Sequence, residues 1–141
     1  MRAALRQALL LLGFAFLPAI GQAVYHRTTV SWDQPALAEG EVRLAQARDW
    51  GDSVIWVDAR PDEQFQRDHI PLAIQLNEDR WDELLPQFLE KWSPDKRVVV
   101  YCSTLSCAAS HEVARRLKEQ AGLPHVFVLN GGWEAWVEAS K

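Results

Sequence analysis

The residues of this chain best suited to covalent chemistry are its two cysteines, Cys102 and Cys107, which are separated by four residues. They follow the apolar run VVVY, which ends at Tyr101, and they precede a segment with helical spacing of apolar residues. Two thiols so close together suit a structural disulfide, a metal site, or a nucleophile with a second thiol beside it. The choice among these roles depends on the elements that position the pair.

A metal site is the least favoured of the three. His111 lies four residues after Cys107, so with Cys102 it would supply a third ligand. No fourth ligand is near in sequence, and the spacing matches no zinc pattern. We therefore predict neither a metal nor another cofactor.

Apolar runs alternate with helical segments along residues 37–141. The strand candidates are short runs with apolar residues on both faces, as in buried parallel strands; they cover residues 54–57, 70–76, 97–101 and 125–129. Helices are predicted over residues 37–50, 61–69, 78–92, 109–117 and 130–139, with Pro86 as a kink or a break in the third. This alternation predicts an α/β fold with a mostly parallel central sheet and helices on both faces.

The predicted sheet places Cys102 where such folds bind ligands, because Cys102 directly follows a central strand and ligands lie beyond the carboxyl ends of the strands. The loop after it opens onto a helix N-terminus, whose free N–H groups and dipole lower a thiol pKa. The hydroxyls of Ser103, Thr104 and Ser106 add donors for an anionic sulfur. An exposed thiolate nucleophile is therefore expected; an inert, buried cysteine is the alternative.

The charge of the chain argues against one class of partner. Its 19 acidic and 15 basic residues give a formal net charge of −4. The acids are scattered, whereas phosphate backbones need a basic face. Nucleic acid is therefore not expected as a partner.

The N-terminus is unlike the rest of the chain. Arg2 and Arg6 precede an apolar run over residues 8–21, and Gly21-Gln22-Ala23 resembles a cleavage site. This is typical of a secretory signal peptide, although an uncleaved membrane anchor fits as well. We predict a signal or anchor over residues 1–25, a linker over 26–36 and one domain over 37–141. The domain would then be exported, in the periplasm or anchored to the membrane and facing outward, where cysteine pairs oxidise readily.

Three segments, taken in order, resemble the rhodanese-like domain family. VIWVDARPDEQFQRDHIPLAI is similar to the family's strand with Asp and Arg, its Glu-Phe helix and its His-Ile-Pro-Gly-Ala turn. VVVYC is similar to the strand that ends in the catalytic cysteine, and VFVLNGGWEAW is similar to the terminal Gly-Gly and Ala-Trp signature. Leu72 stands where the family usually has glycine, so that turn is expected to be reshaped.

The resemblance implies a three-layer rhodanese-like fold and a sulfurtransferase. Cys102 would take a sulfane sulfur from thiosulfate or a persulfide or polysulfide donor, hold it as a persulfide and pass it to a thiol-type acceptor. The acceptor would be a small thiol or a protein. The active-site loop would be the six residues that wrap around that sulfur: Cys102, Ser103, Thr104, Leu105, Ser106 and Cys107.

The role of Cys107 stays open at this point. It is a resolving thiol for Cys102, a partner in a plain loop disulfide, or a bystander in the loop. Two alternatives to sulfur transfer follow: a dithiol–disulfide redox protein or sensor that uses both cysteines, and a non-catalytic binding module that needs neither.

One absence from the sequence bears on the substrate. Phosphatases of this fold class use a cysteine followed, six positions on, by an arginine that clamps the oxyanion. Here that position is Ala108, and no Lys or Arg lies between Cys102 and Ser110. A phosphatase is therefore disfavoured, and a persulfide or polysulfide donor becomes at least as good a candidate as dianionic thiosulfate.

Other residues near the predicted site are given structural roles. The resemblance implies that Asp58 ties loops together near the site, and Arg60 is expected to pair with an acid such as Glu63. His69 is expected to be a hydrogen-bonded structural imidazole. Trp133 and Trp136 are predicted to cover the core, with a wall of the substrate pocket as the alternative.

Overall fold

The computed structural model describes residues 36–103 and 108–141. The predicted signal or anchor segment and all of the linker except Ala36 lie outside the described residues. So do Thr104, Leu105, Ser106 and Cys107. Among the described residues there is no helix with the length and apolar character that a bilayer crossing requires.

The described chain alternates strands and helices from Glu41 onward. In chain order the elements are β1 (Glu41–Val42), α1 (Leu44–Asp49), β2 (Val54–Asp58), α2 (Asp62–Arg67), β3 (Ile74–Gln75), α3 (Trp81–Lys91), β4 (Arg97–Tyr101), α4 (Ala108–Glu119), β5 (Val126–Leu129) and α5 (Gly132–Glu138). A 3-10 turn, Gly51–Ser53, joins α1 to β2.

The five strands form one sheet in the order β1-β5-β4-β2-β3, and each neighbouring pair is parallel. This confirms the predicted α/β fold. The two central strands are in register from Val54 opposite Arg97 to Asp58 opposite Tyr101. Asp58 and Tyr101 therefore end their strands side by side, which brings the segments that follow them to one edge of the sheet.

Two apolar clusters cover the two faces of the sheet, as the three-layer prediction requires. On one face α3 and α4 supply Phe88, Val113 and Leu117 against alternate strand residues such as Val98 and Val100. The opposite face packs the intervening strand residues against α1, α5 and the turn before β3; its buried members are Val42, Ala47, Ile70, Val99, Tyr101 and Leu129. Alternate residues of β4 enter opposite layers because successive side chains of a strand point to opposite faces.

One prediction about an individual element is wrong, and one of the two alternatives predicted for Pro86, a break in its helix, is excluded. The helix predicted over residues 37–50 is confined to Leu44–Asp49, and Glu41–Val42 is instead an edge strand beside β5. Gly40, at φ 82°, turns the chain before that strand, and pairing with β5 outweighs the weak helical periodicity. Pro86 does not break its helix, because α3 runs continuously from Trp81 to Lys91 and buries its apolar face. Tertiary packing thus offsets the hydrogen bond that proline cannot donate.

Candidate active site

Cys102 lies one residue beyond the end of β4, at the carboxyl edge of the sheet. Its backbone is covered by the start of α5: Trp133 N donates a hydrogen bond of 2.7 Å to the carbonyl of Cys102, and Glu134 N donates one of 3.3 Å to Ser103. A Cβ on Gly132 would lie only 2.4 Å from the Cys102 carbonyl oxygen. Glycine is therefore required where α5 meets the loop.

The side chain of Cys102 differs from the expected exposed thiolate. Cys102 is 5% exposed, and its sulfur is in a disulfide. The other cysteine of the chain is Cys107, which lies outside the described residues. The expectation failed because the sequence does not show how closely α5 covers the residue, nor the oxidised state of its sulfur.

Asp58 and Arg60, which follow the neighbouring strand, form a buried ion pair with an Arg60 Nη2 to Asp58 Oδ2 distance of 2.7 Å. Asp58 also accepts the backbone N–H of Arg60 at 2.9 Å, and the guanidinium donates to the carbonyl of Asp68 at 2.7 Å. Arg60 therefore does not pair with Glu63, contrary to expectation. The reason is that Asp58 lies on the same turn and shares its burial, whereas Glu63 points outward from α2 and bonds Arg67.

Two aromatic rings enclose the Arg60 guanidinium. Its central carbon lies 4.6 Å from the centre of a Trp133 ring and 5.5 Å from that of Tyr101. Burial disfavours the charge, but the hydrogen bonds and charge of Asp58 outweigh burial and raise the pKa of Arg60. Cation–π contacts add to this stabilisation. Arg60 therefore joins the end of β2 to the helix that covers Cys102.

Tyr101 completes this arrangement at the end of β4. Its hydroxyl accepts a 3.1 Å hydrogen bond from the backbone N–H of Ile70, and its ring stacks with Trp133 at 6.3 Å. Burial, followed by the nearby charge of Asp58, raises the pKa of Tyr101 above its usual range. The hydroxyl therefore stays neutral at any physiological pH and serves as an acceptor.

A cavity of about 370 Å³ is lined by Ser103, the residue that follows Cys102, whereas the buried Cys102 is not among its lining residues. The Ser103 hydroxyl donates to Gln64 Oε1 at 2.9 Å, so the loop is also attached to α2. The residues that line the cavity come from the ends of β2 and β4 and from α2 and α5: Arg60, Glu63, Gln64, Arg67, Asp68, Ser103, Trp133 and Glu134. Its location and size suit a small sulfur compound or thiol that reacts at Cys102.

A larger cavity, of about 560 Å³, lies away from this edge of the sheet. It is lined by the first residues of β2, by the turn before β3 and by Lys91 at the end of α3. Its lining residues include neither Cys102 nor Ser103, and it is not at the carboxyl ends of the strands. The smaller cavity is therefore the better candidate for a reaction site.

The comparisons with known proteins agree with this fold. The family model described as "Rhodanese-like domain" matches residues 42–139. The chain belongs to the rhodanese-like domain family. It is 36% identical over 99 residues to the thiosulfate sulfurtransferase GlpE of Shewanella oneidensis, a match that covers 70% of this chain and 87% of that protein.

Solved structures show the same rhodanese-like architecture. A Bacillus halodurans protein superposes with a TM-score of 0.60 at 23% identity, covering 87% of this chain and 82% of that one. A thiosulfate sulfurtransferase from Pseudomonas aeruginosa superposes with a TM-score of 0.57 at 25% identity, covering 77% of this chain and 20% of that one.

The structure brings Asp58 and Arg60 to the predicted site and places His69 beside it. His69 Nδ1 lies 2.9 Å from the carbonyl of Phe65, and the two rings stack at 4.2 Å, as a structural imidazole would.

Trp133 combines both roles considered for it, since it packs on the core and lines the cavity. Trp136 packs edge-on against Trp56, at 5.7 Å.

Sequence reasoning missed most residues that line the cavity, chiefly Gln64, Arg67, Asp68 and Glu134. One signal was available for the α2 residues, because their segment directly follows the carboxyl end of β2 and must therefore border the same edge as Cys102. Glu134 carried no such signal. Its place depends on how α5 packs over the loop, which the sequence does not specify.

In the part of the chain that the structure describes, no group of three or more His, Cys, Asp or Glu side chains could hold a metal ion.

Proposed function

We propose that this rhodanese-like domain is a sulfurtransferase that carries a sulfane sulfur as a persulfide on Cys102. The observation that carries the proposal is the position of Cys102, which lies at the carboxyl end of a central strand and directly precedes Ser103, a lining residue of a cavity of substrate size. Membership of the rhodanese-like domain family supports it, as does the likeness to a thiosulfate sulfurtransferase.

The proposed reaction has two balanced steps. In the first, the Cys102 thiolate attacks the sulfane sulfur of thiosulfate, a new S–S bond forms, and sulfite leaves with the electron pair of the broken bond. With an inorganic polysulfide the leaving group is the shortened polysulfide. In the second step an acceptor thiolate attacks the outer sulfur of the persulfide, and the electron pair of the broken bond returns to Cys102.

The cavity supports each step with the groups around it. The backbone at Cys102 is fixed by the bond from Trp133, and Ser103 is fixed by Gln64, so the reactive residue is pre-positioned. The buried Arg60–Asp58 pair supports Trp133, because the Arg60 guanidinium packs against the Trp133 ring. None of these groups acts as a strong base, and transfer from a thiolate needs none.

A second function has a specific observation in its favour. Because the sulfur of Cys102 is in a disulfide, the chain also suits a dithiol–disulfide redox protein in which Cys107 is the partner thiol. Reduction would consume two electrons and two protons from a dithiol reductant. In the sulfurtransferase account, the same reduction must come first. Only a free thiolate on Cys102 can attack a sulfane sulfur, and the disulfide leaves none.

The test uses the full chain, pre-reduced and freed of reductant, with thiosulfate or inorganic polysulfide as donor and a dithiol as acceptor. Release of hydrogen sulfide measures turnover. We expect it to require Cys102 but to survive Cys107→Ser. If Cys102→Ser retains the activity, the proposal is wrong; if both cysteines are needed only for electron transfer and no sulfide appears, the redox function replaces it.

We also propose that the domain is exported, as a cleaved or an anchored protein. The support is the sequence of residues 1–25, with its two arginines and apolar run. Fractionation of cells that express the full chain, with N-terminal sequencing of the product, tests both the compartment and the cleavage.

A further inference from the structure

The positive and negative side chains that line the 370 Å³ cavity do not balance, and this imbalance bears on the choice of acceptor thiol. The cavity's two arginines are already paired. Arg60 is bound to Asp58, and Arg67 Nη2 lies 3.1 Å from Glu63 Oε1 at the exposed rim. Each guanidinium is therefore matched by one carboxylate, so the two pairs together bring no net positive charge to the cavity.

Two carboxylates of the same cavity have no such partner among the residues that the structure describes. Asp68 and Glu134 line it, and neither forms an ion pair with any residue in the ranges 36–103 and 108–141. The four residues 104–107 are Thr, Leu, Ser and Cys, so their sequence brings no formal charge of either sign. Among the described residues, the uncompensated charge of this cavity is therefore negative.

Resting on the proposed sulfurtransferase function, we propose that the acceptor is a low-molecular-mass thiol that bears an ammonium group, and that Asp68 and Glu134 select it. An aminothiol would place its thiolate toward Cys102 and its ammonium toward these carboxylates. The transfer itself is unchanged: the aminothiol sulfur bonds to the outer sulfur of the persulfide, and Cys102 leaves as a thiolate. Anionic thiols meet repulsion at the same mouth.

The geometry explains why these two carboxylates act together. Asp68 follows α2, and its backbone carbonyl is bound by Arg60, so its position is fixed relative to the cavity. Glu134 is fixed from the other side, because its backbone N–H bonds the carbonyl of Ser103. Both side chains thus line the cavity to which Ser103, the neighbour of the reactive residue, also contributes.

The test measures single-turnover discharge of the persulfide from the full chain, pre-reduced and loaded with inorganic polysulfide. Three thiols of similar size serve as probes: cysteamine, which is cationic, 2-mercaptoethanol, which is neutral, and 3-mercaptopropionate, which is anionic. Each rate is divided by the rate of the Asp68→Asn/Glu134→Gln double variant with the same thiol. This ratio cancels the intrinsic reactivity of each thiol.

At low ionic strength we expect the double variant to be about three- to tenfold slower with cysteamine and at least about twofold faster with 3-mercaptopropionate. The rate with 2-mercaptoethanol should stay the same, and added salt should shrink both differences. Glu138→Gln is the control for Glu134→Gln, since it removes one carboxylate from the same helix, α5, at a residue that does not line this cavity. It should leave all three rates unchanged.

The outcomes separate the two proposals. If the wild type loads sulfur but the double variant changes all three rates equally, the selection by charge is wrong while the sulfurtransferase stands. The same conclusion follows if Glu138→Gln has the same effect as the double variant. If the reduced chain takes up no sulfur, the proposed function fails, and the acceptor proposal fails with it.

Discussion

The backbone N–H of Trp133 donates a 2.7 Å hydrogen bond to the carbonyl of Cys102, so the last helix of the domain directly holds the residue proposed to carry sulfur. The central carbon of the Arg60 guanidinium also lies 4.6 Å from the centre of a Trp133 ring. Arg60 in turn is paired with Asp58, at the end of the neighbouring strand. Three segments far apart in sequence thus fix one residue. Disturbing any of them should affect both stability and sulfur transfer.

Gly132→Ala should displace the loop from α5. The new Cβ would lie 2.4 Å from the Cys102 carbonyl oxygen, a separation that requires the backbone to move. Because small displacements of reacting groups are costly, we expect sulfur transfer to fall at least about tenfold. The measurement is the rate of sulfide release with saturating donor.

Gly122→Ala is the control for that substitution. Gly122 also has a positive φ, of 71°, but nothing lies within 4 Å of its added Cβ. It should therefore destabilise the fold by about 1 kcal/mol from backbone strain alone and leave transfer by the folded protein unchanged. Equal loss of activity in both variants would show that strain, and not contact with Cys102, is responsible.

Arg60→Leu should strongly destabilise the domain. It leaves the fully buried Asp58 carboxylate without its partner, and breaking a buried pair in this way costs about 3–5 kcal/mol. Arg67→Leu breaks the exposed pair with Glu63 at the same cavity and should cost less than about 1 kcal/mol. Urea unfolding of both variants tests this, and similar losses would contradict the structural role of Arg60.

Leu72→Gly should stabilise the protein. Leu72 adopts φ 66°, a conformation that costs a side chain about 1–2 kcal/mol, and it is 94% exposed, so it has little packing to lose. The greater freedom of glycine in the unfolded chain offsets part of this gain, which leaves about 0.5–1 kcal/mol. Leu72→Ala, which keeps the strain, should change the free energy of unfolding by much less. A loss of stability in the glycine variant would contradict the account.

Alkaline pH should destabilise the fold through Tyr101. Its pKa is raised in the folded state, so above about pH 10 the unfolded chain loses a phenolic proton that the folded chain keeps. The free energy of unfolding should therefore fall as pH rises from there toward the folded-state pKa. Urea unfolding across that range, followed beside Tyr101→Phe, measures the effect.

Tyr101→Phe should remove that part of the alkaline loss. It should also cost about 1–3 kcal/mol at neutral pH, because the buried backbone N–H of Ile70 loses its acceptor. Alkaline slopes that are identical in the two proteins would show that Tyr101 does not titrate as described.

The sequence predicted the fold because its strands are strongly apolar and its elements alternate regularly. Val98, Val99 and Val100 have no exposed surface, as a central strand requires. The prediction failed at β1, where two residues form a strand only because β5 lies beside them. Long-range pairing of so short a segment leaves no periodicity to read.

The candidate site was only partly predictable for a similar reason. Cys102, Asp58 and Arg60 follow strand ends, which the pattern of apolar runs locates. The arginine's partner was mistaken, because the choice between Asp58 and Glu63 depends on which side chain turns inward. Glu134 was missed because its place depends on the packing of α5 over the loop.

The most direct test of the central claim is the intact mass of the full chain, pre-reduced, before and after incubation with thiosulfate or inorganic polysulfide. The account predicts a gain of one sulfur atom that persists in Cys107→Ser, disappears in Cys102→Ser and is reversed by a dithiol. A chain that gains no sulfur from either donor, and changes only by the loss of two hydrogens when it is oxidised, would contradict it.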